Sequence, residues 1–206
     1  PDVDHPKDLR NFFAAIQELV ANNLLLAYHD RSDGGLFVTL AEMAIGGRMG
    51  LQAEIGDLGE EDLAVLFNEE LGAVLQVAEE HFERVQEVLN RHGLEEMVHE
   101  IGSATGDSTL MLLRDGEVVY EETVATLART WSELTYHMQS LRDNPACAKE
   151  EYDNRLDTTD PGISLHLTYD PEKPFQINTG ARPRMAILRE QGVNGQVEMA
   201  AAFDRA

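Results

Sequence analysis

The chain has 206 residues, 43% of them apolar, enough for one full core and a piece of a second domain. Its 16 Lys and Arg stand against 38 Asp and Glu, a formal net charge of -22, which repels phosphate backbones and excludes nucleic acid and anionic membranes as partners. No apolar run reaches the roughly 20 residues that span a bilayer, and no signal peptide is visible. The single Cys147 rules out an internal disulfide framework and a Cys-rich zinc site, so the expected location is cytoplasmic.

Pro6 opens a first helix to Val20, with Phe12, Phe13, Ile16, Leu19 and Val20 on its apolar face. Leu24 to Tyr28 reads as a buried strand, and Leu36, Leu40 and Met43 recur at helical spacing up to Gly46-Gly47. Leu51, Ala53 and Ile55 alternate as a half-buried strand. A short helix with an acidic first turn follows Gly59, and Ala73 to Ala78 is a central strand. Phe82, Val85, Val88 and Leu89 stripe a helix stopped by Gly93.

Three strands are then expected, at Met97–Gly102, Thr109–Leu113 and Glu117–Glu121, with Asp115-Gly116 as a hairpin turn between the last two. A helix over Thr126–Leu141 carries Leu127, Trp131, Leu134 and Met138 on one face, read as core. Interleaved strands and helices with a hairpin among them predict an α+β fold, a mixed β-sheet flanked by helices, over residues 1–142.

From Asp143 prolines and charge punctuate the chain, and residues 143–182 read as a linker that packs. Within it Ile163, Leu165, Leu167 and Tyr169 alternate as one docked strand. Met185 to Leu188 forms a new strand, Arg189 to Gly195 a turn, and Gln196 to Ala206 a helix. Residues 183–206 are thus expected to begin an α/β domain, and the whole reads as a piece of a longer chain.

The stretch His29-Asp30-Arg31-Ser32-Asp33-Gly34-Gly35-Leu36 lies at a strand-to-helix turn. Free amides and the positive end of the helix dipole converge at such a mouth, which accepts phosphate. Gly34 and Gly35 would present backbone N–H groups to the phosphate, and Ser32 offers a hydroxyl that reaches a phosphate or caps the helix. Asp30 and Asp33 bracket the turn with hard oxygens suited to magnesium carried by a nucleotide. The same pattern also serves as a plain connection whose Ser or Asp caps a helix. His29 is read as a hydrogen-bonded structural residue, since the seven histidines show no metal-ligand spacing.

Ala27 to Leu36, with Leu40-Ala41-Glu42-Met43, resembles the signature of the C-terminal domain of aminoimidazole ribonucleotide synthetase-like proteins. Leu66-Phe67-Asn68-Glu69-Glu70-Leu71-Gly72-Ala73-Val74 resembles their second signature, with Ala73 where shorter relatives often carry an arginine. Gly180 to Pro183, Ala186 to Asn194 and Val197 to Ala200 resemble the entry into a class I glutamine amidotransferase domain. That order is similar to the long single-chain phosphoribosylformylglycinamidine synthases (formylglycinamide ribonucleotide amidotransferases) of purine biosynthesis.

The resemblance implies a glutamine-dependent ligase. ATP and magnesium activate the amide of formylglycinamide ribonucleotide, ammonia from glutamine displaces phosphate, and ADP leaves. It places this piece in the last domain of the second synthetase half, which holds an auxiliary Mg2+ and ATP/ADP site. Asp30 falls on a magnesium ligand there and Ser32 on a nucleotide contact. The partners are then the other synthetase and glutaminase domains of the same chain, and the piece alone is expected to be inactive. Two alternatives stand beside this: a stand-alone nucleotide-binding regulatory module, and an interaction domain whose acidic surface faces a basic partner.

Overall fold

The computed structural model describes residues 3–173, 180, 183–192 and 194–205. The chain divides into two units, Pro1–Asp160 and Pro161–Ala206.

In the first unit, helix α1 (Pro6–Ala21) starts on Pro6, whose missing N–H has no partner to lose in a first turn. Its Ala15, Ile16 and Leu19 pack on Val85, Val88 and Leu89 of α4 (Phe82–Arg91), and Leu24 and Leu94 close that core. Strands β1 (Ala27–Asp30) and β3 (Ala73–Gln76) pair antiparallel, from Ala27 opposite Gln76 to Asp30 opposite Ala73. Successive β3 side chains point to opposite faces. Leu75 joins the α1–α4 core, while Val74 joins a second and larger one.

The larger core packs against a four-stranded mixed sheet formed by β2 (Gly50–Glu54), β4 (Gly102–Thr105), β5 (Thr109–Arg114) and β6 (Glu117–Thr123), in the order β4-β2-β5-β6. β2 runs parallel to β5 and antiparallel to β4, and β5 and β6 form an antiparallel hairpin. Leu36, Leu40 and Ala41 of α2 (Gly35–Gly47) meet Val65 and Leu66 of α3 (Asp62–Phe67) over Ala53, Ile55, Leu110 and Leu112. The α+β fold with a mixed sheet flanked by helices is therefore as the sequence implies.

The hairpin turn places Asp115 and Gly116 at φ of 52° and 81°, as a two-residue turn matched to strand twist requires. Glu54 completes it from β2. Its Oε1 accepts from the amides of Gly56 and Asp115, each at 3.0 Å, and its Oε2 from Gly116 at 3.1 Å. These bonds, that from Gly56 first, hold the Glu54 carboxyl below the ordinary value of 4.5. A carboxylate depressed in the folded state stabilises above its unfolded pKa and loses that contribution as pH falls through the folded value. Glu54→Gln is accordingly expected to lower the urea midpoint at pH 7. The gap to the wild type should close as denaturation is repeated down to pH 3, and a gap independent of pH would contradict this role.

Five features of this unit differ from the sequence reading. The strand expected to be central, Ala73–Ala78, is β3 of the two-stranded ribbon and ends at Gln76. The first strand begins at Ala27, because Leu24 turns into the α1–α4 core while Leu26 is exposed. The strand expected at Met97–Gly102 lies at Gly102–Thr105, where pairing with β2 sets Gly102 opposite Ala53. Helix α5 (Val124–Arg142) turns most of its apolar stripe outward: Trp131, Leu134 and Met138 are 57%, 71% and 61% exposed, so they are not core. Periodicity marks a face but not what covers it, and α5 is contacted by α2, β6 and the helix that follows it. That helix, α6 (Pro145–Asn154), forms where only linker was expected. Asn144 caps it through the Ala146 amide, and Tyr152 stacks on Tyr136 of α5 at 4.4 Å.

In the second unit, α7 (Gln196–Arg205) follows the turn expected before it. Residues 163–169 and 185–188 form no strand, and Ile163 is 97% exposed. A single extended segment has no ladder partner among the described residues there, and without one its backbone groups stay in water. The conformations of residues 174–179, 181, 182 and 193, which fall in the proposed linker and turn, lie outside the described residues.

Candidate nucleotide-binding turn

β1 ends at Asp30 and α2 starts at Gly35, so Arg31 to Gly34 form the connection between ribbon and helix. The second signature lies directly against the first. The Arg31 amide donates to the Gly72 carbonyl at 2.8 Å, and its Nε donates to the Glu70 carbonyl at 2.7 Å. The Gly34 amide donates to Glu69 Oε1 at 3.0 Å, and the Gly35 amide to the Ser32 carbonyl at 2.9 Å. Gly35 sits at φ +65°, where an added Cβ would lie 2.7 Å from the Leu66 carbonyl oxygen and 2.8 Å from the Phe67 backbone. Only glycine lets α2 start this close to the end of α3.

Asp30, Ser32 and Asp33 are all exposed at this turn. Neither Ser32 nor Asp33 caps α2; the N-cap is Gly34 in the left-handed conformation, with no side-chain cap bond. The charge at the helix mouth comes instead from Glu69, a carboxylate placed where the dipole favours an anion. The Tyr28 hydroxyl donates to Asp30 Oδ1. Burial first, then that bond and the charge of Asp30, push the Tyr28 phenol up to about 12.

The Asp30 carbonyl is held from two sides, by His29 Nδ1 at 2.7 Å and by Thr39 Oγ1 at 3.2 Å. His29 Nε2 lies 2.8 Å from Glu42 Oε2, and the Trp131 indole N–H donates to Glu42 Oε1 at 2.8 Å. His29 is thus hydrogen-bonded at both ring nitrogens.

The structure therefore brings Asp30, Ser32, Gly34 and Gly35 into one turn. It adds Thr39, Glu42, Glu69 and Trp131, which the sequence alone does not place there, and gives Arg31 of the same stretch its partners in the second signature. Glu42 and Glu69 had a signal, being acids inside the two signature stretches; Trp131, 89 residues from Glu42, had none. Among the described residues no three His, Cys, Asp or Glu side chains converge to hold a metal by themselves. Magnesium takes one or two carboxylates alongside phosphate oxygens and water, and the exposed Asp30 carboxylate suits it as one such ligand. A surface recess against Ala78, Glu79 and Glu80 lies beyond the opposite end of the β1–β3 ribbon. No described helix is long and apolar enough to cross a membrane.

Residues 1–113 match the profile of a family described as AIR synthase related protein, C-terminal domain. Among solved structures, T. maritima PurL complexed with ATP superposes with a TM-score of 0.53 at 19% identity, covering 62% of this chain and 23% of that one. T. maritima PurL complexed with AMPPCP gives 0.53 at 16% identity, over 98% of this chain and 29% of that one. Phosphoribosylformylglycinamidine synthase II from Thermotoga maritima gives 0.52 at 18% identity, over 60% and 22%. The chain spans less than a third of the length of these proteins, and at such identities the superposition speaks for the fold. The match over residues 1–113, more than half of the chain, shows that it belongs to the AIR synthase related proteins, as their C-terminal domain.

Proposed function

We propose that this chain is part of a long single-chain phosphoribosylformylglycinamidine synthase and lends Asp30 to a magnesium–nucleotide site auxiliary to catalysis. The observation that carries this reading is the interlocking of the two signature stretches around an exposed Asp30, in a chain of this family. Its support from relatives is that T. maritima PurL is described in complex with ATP, with ADP and with FGAR.

Bound magnesium would neutralise the nucleotide phosphates, which a chain of net charge -22 otherwise repels. Asp30 is one of its ligands and Ser32 a nucleotide contact. Gly34 and Gly35 shape the turn, and the Gly34 amide meets a phosphate only after Glu69 gives it up. The remaining ligands and the glutaminase come from other domains of the same polypeptide. Residues 143–182 link to a class I glutamine amidotransferase domain that begins near residue 183. The parent enzyme takes formylglycinamide ribonucleotide, glutamine and ATP, and this chain alone makes no amidine.

Calorimetric titration with ADP and Mg2+ tests the reading. The expected result is weak saturable binding, with a dissociation constant on the order of millimolar, abolished in Asp30→Ala. Tight ATP binding by the chain alone, or equal binding by Asp30→Ala, would contradict it.

A further inference from the structure

We infer that Glu42 is a positioning residue for Asp30, tying the Trp131 indole of α5 to the His29 ring that pins the Asp30 carbonyl. The inference rests on the proposed metal role of Asp30. The Tyr28 hydroxyl directs only one oxygen of the exposed Asp30 carboxylate, so the backbone that carries it must also be held for the other to act as a ligand. His29 Nδ1 holds the Asp30 carbonyl at 2.7 Å, while the one proton of the buried Thr39 hydroxyl is shared between that carbonyl, at 3.2 Å, and the nearer Gly35 carbonyl, at 2.9 Å.

Glu42 lies three residues beyond Thr39 on α2, hence on the same face of the helix. An isolated exposed His–Glu pair contributes little, because water and side-chain entropy compete with it. Here the side chains are 29% and 30% exposed, and the second Glu42 oxygen is fixed by Trp131. With both oxygens engaged the carboxylate has one geometry, and it hands that geometry to the ring. The Trp131 ring is more than half exposed, yet its N–H is committed, so α5 is keyed to the turn through this single polar contact.

The test is a Mn2+ titration of the 15N-labelled chain, read as paramagnetic broadening of the Tyr28–Ser32 amides. Glu42→Ala is expected to need about tenfold more Mn2+ for the same broadening. Glu42→Gln should stay within about twofold of the wild type, because the amide keeps both contacts: its carbonyl accepts from Trp131, and its NH2 donates to Nε2 of a ring protonated at Nδ1. If Glu42→Ala does not fold, Trp131→Phe takes its place, with an expected loss of about threefold. Wild-type affinity in Glu42→Ala, or in Trp131→Phe where that stands in, overturns the inference and leaves the proposed function standing. So does a Glu42→Gln as weak as Glu42→Ala, which would make charge rather than position the cause. Broadening absent from the wild type, or retained in Asp30→Ala, overturns the metal role of Asp30 and this inference together.

Discussion

Replacing Gly35 with alanine is expected to lower the unfolding free energy by about 3 kcal/mol, from the strain of a left-handed alanine and from overpacking. The added methyl would lie 2.7–2.8 Å from the backbone of Leu66 and Phe67, which has no flexible end to swing away. Either α2 or the end of α3 must shift, and with it the turn from Asp30 to Gly34. Gly46, on the same helix, has nothing within 4 Å of an added methyl. Gly46→Ala is expected to gain about 0.5–1 kcal/mol by reducing the freedom of the unfolded chain. Urea denaturation of the two variants checks the contrast, and a Gly35→Ala protein as stable as the wild type would contradict the close approach.

Leu40→Ala is expected to cost about 3–4 kcal/mol, because Leu40 is fully buried where α2 packs over the mixed sheet. Its neighbours Leu110 and Leu112 lie on β5, whose register is fixed by pairing, and Ile55 follows β2 with its amide bonded to the Leu113 carbonyl at 2.8 Å, so they relax little into the space left behind. Leu40 follows Thr39, whose hydroxyl sits between the Gly35 and Asp30 carbonyls, so the loosened helix also loosens the turn. The urea midpoint should fall and the Arg31 and Gly35 amides should exchange faster with solvent. A loss of stability under 1 kcal/mol, about what an exposed leucine gives, would mean that α2 is not docked as described.

Most of the element order was legible where a local rule sufficed. Pro6 starts α1, Asp115-Gly116 turns the hairpin, and Gly93 follows the end of α4. Two further local signals were open to the opposite reading. Asn144-Pro145 reads as chain punctuation, but Asn is also a preferred N-cap and Pro a preferred first helical residue, and here the pair starts α6. The stripe on α5 marks a helix face correctly, yet which neighbours cover it is decided by topology.

The site divides in the same way. Asp30, Ser32, Gly34 and Gly35 are adjacent in sequence, so the turn was readable as a unit. The bonds that hold it span 35 residues from Gly34 to Glu69 and 89 from Glu42 to Trp131, and no local pattern encodes such pairings. The phosphate reading treated the Gly34 amide as open, whereas in the folded chain the Glu69 carboxylate engages it.

In the proposed function, magnesium and nucleotide meet this chain at the turn after β1. An amide map of the 15N-labelled chain titrated with ADP and Mg2+ to millimolar concentrations locates where they bind. Shifts concentrated at residues 30–36 and 68–72 and absent in Asp30→Ala are the predicted result. Shifts centred on Ala78, Glu79 and Glu80, or none at the turn, would contradict it.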